Sequence, residues 1–184
     1  MLFRSSDTVA GVLSGSSKMI KRIFTSEYMN IGSGIQPFNA WLLIRGLRTL
    51  PARLERISAS TRKVVTFLKD HPKVESVIFP FDDSFPQLEL AKQQMQGACG
   101  LLTFVMKAEN IHQIESFCES LKHILMAVSW GGHESLIIPR CSSLPSSSFD
   151  AGNREHRMLR LYVGLEEADY IIADLAQAFQ FIQT

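Results

Sequence analysis

The feature that most constrains this sequence is an apolar seam running from Leu43 to Leu68. Leu43, Leu47, Leu50, Leu54, Ile57, Thr61, Val64 and Leu68 follow at spacings of four, three, four, three, four, three and four residues. That rhythm keeps the side chains on one face of an α-helix, with Thr61 as a polar interruption. Pro51 lies inside the seam, removes a backbone hydrogen bond and predicts a kink. Arg45, Arg48, Arg53, Arg56 and Arg62 occupy other positions, with Glu55 among them. Such a row suits a phosphate-binding face or a solvated, salt-bridged one; the interspersed acid and the lack of interleaved aromatics favour the solvated face. His71-Pro72 ends the helix.

The elements around the seam alternate. Upstream, Thr8 to Leu13 reads as a short buried strand. Ser16 to Asn30 reads as a helix capped by Ser16 or Ser17, with Met19, Ile20, Ile23, Phe24 and Tyr28 on one side. Gly32-Ser33-Gly34 ends that helix and Gln36-Pro37 begins a new element. Downstream, β-branching predicts a strand over Val74 to Pro80, then a loop at Asp82-Asp83-Ser84, a short helix from Pro86 to Met95 and a strand from Leu101 to Met106. Ile111, Ile114, Phe117 and Leu121 mark a helix with Glu109 in its first turn and Lys122 and His123 at its end, as the helix dipole favours. A serine-rich loop, Ser142 to Ser148, precedes a strand from Met158 to Val163. Ile171, Leu175, Phe179 and Ile182 form the last helix, with Glu166, Glu167 and Asp169 at its amino end. Strands mixed with helices, without a βαβ glycine fingerprint, predict an α+β fold: a small sheet covered by helices.

Composition narrows the partners. At 184 residues the chain can bury one good core. A net charge of +1 gives no electrostatic reason to expect nucleic acid or a membrane surface, and no apolar run approaches the length of a membrane span. Cys99, Cys118 and Cys141 are odd in number and lack a CxxC pair, which suits free thiols in a reducing cytoplasm better than a disulfide framework or a metal site. Leu2, Phe3, Arg4 and the following serines resemble a transit peptide superficially, but Asp7 and the glycines break any apolar core of a signal.

Two places carry candidate chemistry. Ala127 to Pro139, A-V-S-W-G-G-H-E-S-L-I-I-P, reads as a short strand, a tight reversal at Gly131-Gly132 and a second apolar strand. Ser129 and Trp130 sit at its lip, where a hydroxyl and an indole N–H suit a small polar ligand as well as a purely structural turn. In R-M-L-R-L-Y-V, alternation puts Leu159, Leu161 and Val163 on one face and Met158, Arg160 and Tyr162 on the other. Arg160 therefore needs an anion if it is buried. That anion is an internal carboxylate such as Glu166, or the carboxylate of a ligand held by the guanidinium fork.

S-W-G-G-H-E-S-L-I-I-P, then R-L-Y-V-G-L-E-E-A-D-Y-I-I-A-D-L, preceded far upstream by W-L-L-I-R-G-L-R-T-L-P-A-R-L, resembles the trans-sulfuration family of pyridoxal-phosphate enzymes: cystathionine β-lyase, cystathionine γ-synthase, cystathionine γ-lyase and methionine γ-lyase. The tryptophan after Ser129 looks most like the β-lyases. The resemblance implies that residues 37–184 form the small domain of a fold-type I enzyme, a mostly antiparallel sheet with helices packed on it. Residues 1–36 would be a strand-helix remnant of the cofactor-binding large domain. It further implies that Arg160 holds the α-carboxylate of a small sulfur amino acid, with Ser129 and the Trp130 backbone beside it. Such a clamp fixes which bond at Cα stands perpendicular to the cofactor ring, so orientation selects the reaction.

The chain departs from the family at its beginning. The family carries a block like S-x-T-K-Y, whose lysine forms the Schiff base, closely followed by G-H-S-D. Ser6-Asp7 and V-A-G-V-L-S-G match the family's stretch just after that block, but Met1 to Ser5 do not reproduce the block, and no other lysine has the motif around it. Two functions are therefore expected: the carboxy-terminal part of a carbon–sulfur lyase or transferase that does not bind pyridoxal phosphate covalently by itself, or a non-catalytic truncated domain that self-associates. In both, a homo-oligomer is expected through apolar surface in residues 1–36, including an unpaired strand edge at Thr8 to Leu13.

Overall fold

Ser16 opens the first helix as the sequence predicts. In the computed structural model, which describes residues 10–32 and 34–182, the Ser16 hydroxyl accepts a hydrogen bond from the Met19 N–H at 3.3 Å. Helix α1 (Ser17–Ile23) continues through a π-helical turn, Phe24–Tyr28, into a last turn, α2 (Met29–Ile31). Gly32 stops it at φ 69°, a left-handed conformation that a side chain would oppose. The strand expected over Thr8 to Leu13 is not formed where it can be followed: Ala10 to Leu13 carry no regular structure. Thr8, Val9 and Met1 to Asp7, like Ser33, lie outside the described residues. The unpaired strand edge expected there is accordingly not available as a reason for association.

Helix α3 (Pro37–Leu47) starts with proline in its first turn, where the missing N–H costs nothing. The seam then breaks instead of kinking. The chain leaves the helix at Arg48 and Thr49, and α4 (Leu50–Asp70) begins anew. Pro51 is the physical reason: its ring would clash with the carbonyl four residues earlier, that of Leu47, yet it is tolerated in the first turn of α4.

By proximity the chain divides into two units, Met1–Pro51 and Ala52–Thr184, so residues 37–51 fall in the first. None of the described residues of that first unit is buried. Val12, Leu13, Met29, Ile31, Phe38 and Trp41 are all exposed. The unit has apolar side chains but no interior of its own.

The second unit holds the core. Along α4 the seam is buried at Ile57, Thr61, Val64 and Leu68. The Thr61 hydroxyl donates to the Ile57 carbonyl at 2.7 Å, so the polar interruption is satisfied within its own helix. There follow β1 (Val74–Ile78), α5 (Leu88–Gln94), β2 (Leu101–Met106), α6 (Ile111–Ser120), β3 (Leu125–Met126), β4 (Leu136–Pro139), β5 (Met158–Tyr162) and α7 (Ala168–Ala178). The five strands lie in the order β1-β2-β5-β4-β3. The β1–β2, β2–β5 and β4–β5 pairs are antiparallel and β3–β4 is parallel. This is the expected α+β architecture, a small, mostly antiparallel sheet with helices packed on it.

Register sorts the two faces. Leu102 pairs with Leu161, Phe104 with Leu159 and Ile137 with Leu161, and this face packs with Val64 and Leu68 of α4, Ile114 and Phe117 of α6, and Ile171 and Leu175 of α7. Phe104, Phe117 and Phe179 close it as an aromatic cluster, the nearest pair 4.6 Å apart at their centroids. Glu109 lies just before α6 instead of in its first turn, and Asn110 caps the helix, accepting from the Gln113 N–H at 3.1 Å. Lys122 and His123 serve through their backbone: with Ile124, their N–H groups each donate to the buried Asp174 carboxylate at 2.9 Å. Among the arginines of the seam, Arg56 pairs with Glu167 at 2.5 Å on the surface, in keeping with a salt-bridged face.

Candidate functional site

The opposite face of the sheet carries Arg160. On this face Arg160 pairs across β2 with Thr103 and across β4 with Ile138, while Tyr162 pairs with Leu101 and Leu136. Tyr162 is buried with Leu136 and Ile57 of α4. Arg160, two residues earlier, is half-buried on a strand hydrogen-bonded on both sides. Its Nη2 donates to the backbone carbonyl of Val128 and, at 3.4 Å, to that of Ser129.

Among the described residues Arg160 pairs with no carboxylate. The internal partner weighed for it, Glu166, is engaged elsewhere. Glu166 accepts from the Ser135 N–H at 2.8 Å and from the Ser135 hydroxyl at 2.9 Å, and that hydroxyl in turn accepts from the Gly164 N–H at 2.9 Å. A half-buried arginine held by two carbonyl groups keeps a net positive charge and further N–H donors, the charge and donor geometry that suit an anion.

The loop from Ala127 to Ser135 supplies those carbonyls, and its course differs from the expected reversal. β3 and β4 run parallel, with Leu125 paired to Leu136 and Met126 to Ile137, so the loop leaves one end of β3 and crosses over to enter β4 at the opposite end. Gly131, at φ 82°, makes that path possible. Gly131 and Gly132 are buried, Ser129 is half-buried and Trp130 is exposed. Ser129 meets Arg160 through its backbone carbonyl, and the Trp130 side chain lies at the surface.

Three contacts hold this loop that sequence reasoning did not single out. The Tyr162 hydroxyl donates to the Gly132 carbonyl at 3.0 Å, and burial keeps that phenol protonated far above its usual range. The Leu165 N–H donates to the His133 carbonyl at 2.7 Å. Gly164 packs so closely that a Cβ there would lie 2.3 Å from the His133 oxygen. The contacts between Glu134-Ser135-Leu136 and Val163-Gly164-Leu165-Glu166 span about thirty residues and have no local periodicity that could have announced them.

A groove of about 520 Å³ opens beside Arg160, within the size range of small-molecule sites. Thr103, Ile138 and Met158 share its lining with Arg160, Arg140 and Glu155. No lysine lines it. Lys69 is paired with Asp82 at 2.6 Å, Lys92 with Glu89 at 2.9 Å, Lys107 with the Pro72 carbonyl at 2.9 Å, and Lys73 with the carbonyls of Phe179 and Ile182 at 2.8 and 2.7 Å. The residues of this groove therefore fit a carboxylate but do not fit covalent attachment of an aldehyde cofactor. Among the described residues no His, Cys, Asp and Glu side chains cluster as a metal ion would need, and no helix is long and apolar enough to cross a membrane.

A family model described as "Cys/Met metabolism PLP-dependent enzyme" matches residues 4–180. Over 178 residues the chain is 38% identical to L-methionine gamma-lyase of Treponema denticola, covering 94% of this chain and 44% of that protein. It is 37% identical over 179 residues to cystathionine gamma-lyase of Sus scrofa, covering 95% and 44%. The solved structure of cystathionine gamma-lyase from Lactobacillus plantarum, complexed with L-serine, superposes with a TM-score of 0.85 at 31% identity, covering 99% of this chain and 48% of that one. The chain thus spans less than half the length of these relatives.

Proposed function

The chain belongs to the family of pyridoxal-phosphate-dependent enzymes of cysteine and methionine metabolism, and from that premise we propose that it is the carboxy-terminal part of a carbon–sulfur lyase or transferase in which Arg160 holds the α-carboxylate of a small sulfur amino acid. The observation that carries this reading is Arg160 itself, half-buried on a central strand and without a carboxylate partner among the described residues. Its guanidinium fork takes a carboxylate in two parallel hydrogen bonds. The Ser129 backbone borders it, and the carbonyls of Val128 and Ser129 orient the fork through Nη2. Bound pyridoxal phosphate supplies the electron sink of the family's chemistry; what this chain contributes is the orientation of the amino acid about its Cα. Trp130 after Ser129 favours a cystathionine β-lyase-like member, while the relatives from Treponema denticola and Sus scrofa are γ-lyases; both kinds of reaction use a clamped α-carboxylate.

The test is a titration of the full chain with L-methionine, followed by protein-observed NMR, for the wild type and Arg160→Met. Binding that weakens about tenfold or more in the variant is expected, the worth of one charge-assisted hydrogen-bonded pair. Equal binding by both proteins would overturn the assignment.

On this reading residues 1–36 derive from the cofactor-binding large domain and residues 37–184 are the small domain, and the chain alone neither binds pyridoxal phosphate covalently nor turns over substrate. The free thiols at Cys99, Cys118 and Cys141 support a cytoplasmic setting. Pyridoxal phosphate added and then removed by gel filtration should leave no visible absorption band on the protein. A retained band, abolished by one lysine substitution, would refute this point.

A second reading, a non-catalytic truncated domain that self-associates, is favoured by the first unit. Met19, Phe24, Met29, Ile31, Phe38 and Trp41 are among its exposed side chains, and a soluble monomer rarely leaves so many open. Burying a few hundred Å² at roughly 25 cal/mol per Å² yields several kcal/mol before association costs. Light scattering should show a dimer or larger for the full chain and a smaller species for a chain starting at Gln36. A monomeric full chain, or an oligomer unchanged by the deletion, rules self-association out.

A further inference from the structure

We propose that Cys118, Cys141 and Met126 form a binding site for a soft monovalent cation, copper(I), in a cavity between α6 and the turn that follows β4. The two thiols are distant in sequence and belong to no CxxC pair, so only the fold brings them to one place.

Three elements each supply one sulfur. Cys118 lies in the last turn of α6 on its core side, buried like Ile114 and Phe117. β4 ends at Pro139, and the tight turn Arg140–Ser143 carries Cys141 into the same core. Both cysteines line a cavity of about 250 Å³, and Met126 of β3 lines it with them. The two thiols are close enough for the charge of Cys141 to oppose ionisation of Cys118. Ile111, Ile114 and Leu144 are the apolar walls.

The donor set selects the ion. Thiolate and thioether sulfur are soft ligands, suited to copper(I), zinc or iron–sulfur clusters. Structural zinc takes four ligands and the common clusters four thiolates. Among the described residues no three His, Cys, Asp and Glu side chains gather to supply them. Copper(I) is satisfied by two or three sulfur ligands, the number this cavity offers. The cavity also has a way in. Cys118 and Cys141 are buried, whereas Met126, Glu119 and Glu115, which also meets His112 at 2.8 Å, are exposed and mark its mouth. The carboxylates favour a cation there, and the flexible thioether offers it a first sulfur ligand. Burial holds both thiols protonated. An alkylating reagent must wait for a thiolate, but a coordinating metal ion displaces the proton itself.

The experiment loads the full chain with chelator-buffered copper(I) in the absence of oxygen and counts bound ions by native mass spectrometry. One ion per chain is expected in the wild type and in Cys99→Ser, with proton release on binding. Cys118→Ala and Cys141→Ala should each weaken binding by more than about a hundredfold, because losing even a group that only hydrogen-bonds to a ligand costs about 10–100-fold. Met126→Leu, which removes a neutral ligand at the mouth, should weaken it by about tenfold. X-ray absorption at the copper edge, on the loaded Cys99→Ser chain, reads the ligands without any substitution in the core and should find two or three sulfur neighbours. No bound ion, an ion lost with Cys99→Ser, affinity unchanged by loss of Cys118, Cys141 or Met126, or nitrogen and oxygen neighbours in place of sulfur overturns the site.

Discussion

Gly164→Ala should damage the loop that supports Arg160 without touching the arginine. A Cβ at this position would lie 2.3 Å from the His133 carbonyl oxygen, 2.5 Å from Glu166 Oε2 and 2.6 Å from the Glu134 carbonyl carbon. Favourable contact begins near 3.5 Å, so the loop must retreat by about 1 Å. The His133 oxygen cannot do so freely, because it accepts the Leu165 N–H at 2.7 Å, and such a shift takes that bond beyond useful range. Overpacking of this kind costs about 1–3 kcal/mol and a lost backbone hydrogen bond about 1 kcal/mol more, a total of about 2–4 kcal/mol. For a chain of this size the melting temperature should fall by roughly 5–15 °C, measured by circular dichroism. Affinity for L-methionine should weaken as well, since the Val128 and Ser129 carbonyls ride on the same loop. Gly97→Ala is the control, as nothing lies within 4 Å of a Cβ there. A Gly164→Ala melting temperature within about 2 °C of the wild type would refute the reasoning, because it would mean that the loop from 131 to 135 yields without cost.

Three further outcomes are expected. His71 stacks on Phe179 at 3.9 Å, and burial, with the Lys73 charge as a lesser cause, lowers its pKa from 6.5. The unfolded chain therefore binds this proton more readily, so stability is full above about pH 6.5 and declines as the pH falls from there toward the folded value; urea midpoints at pH 7.5 and 5.5 should differ less in His71→Phe than in the wild type. Burial opposes ionisation of Asp174, but the N–H groups of Lys122, Ile124 and His123, with Gln177, hold its pKa below 3.8. Its contribution is present above about pH 3.8 and lost as the pH falls through the folded value, and Asp174→Ala should cost about 3 kcal/mol in urea titrations at pH 7 by leaving buried N–H groups unpaired. Burial pushes the Cys118 thiol up to about 12 and raises Cys99 and Cys141; mass spectrometry after iodoacetamide at pH 8 should find the half-exposed Cys99 labelled first, with Cys118 and Cys141 modified only on unfolding.

The parts of the fold that local rules govern were legible in the sequence, and the parts that depend on distant residues were not. The seam from Ile57 to Leu68 has helical period, and it is buried. Leu101 to Met106 has the alternation of a strand, and it forms one over those residues. Arg160 was visible because it breaks the apolar pattern of β5. The break at Thr49 was not visible, because a proline inside a periodic run allows a kink or a new helix start alike, and packing decides between them. Nor was the parallel pairing of β3 with β4, since a two-residue strand has no period of its own. The bond from Ser135 to Glu166 pairs residues that local spacing gives no reason to associate. That bond engages Glu166 away from Arg160.

The position of Arg160 in the sheet fixes where its charge stands. β5 is the middle strand of five, hydrogen-bonded to β2 on one side and to β4 on the other, so its Cα cannot drift without breaking two ladders. Its buried face is filled by Leu159 and Leu161, which fix the rotation of the strand about its own axis. The guanidinium is then aimed by carbonyls from a loop whose own position depends on Tyr162, Gly164, Ser135 and Glu166. Scaffold and aim are therefore separate: the strand sets where the charge stands, and the loop sets how its plane is turned. Substitutions in the loop should change the angle at which a carboxylate is received while leaving the charge in place. On the proposed role of Arg160, a loop change of this kind would alter the orientation of a bound carboxylate before it weakened its binding.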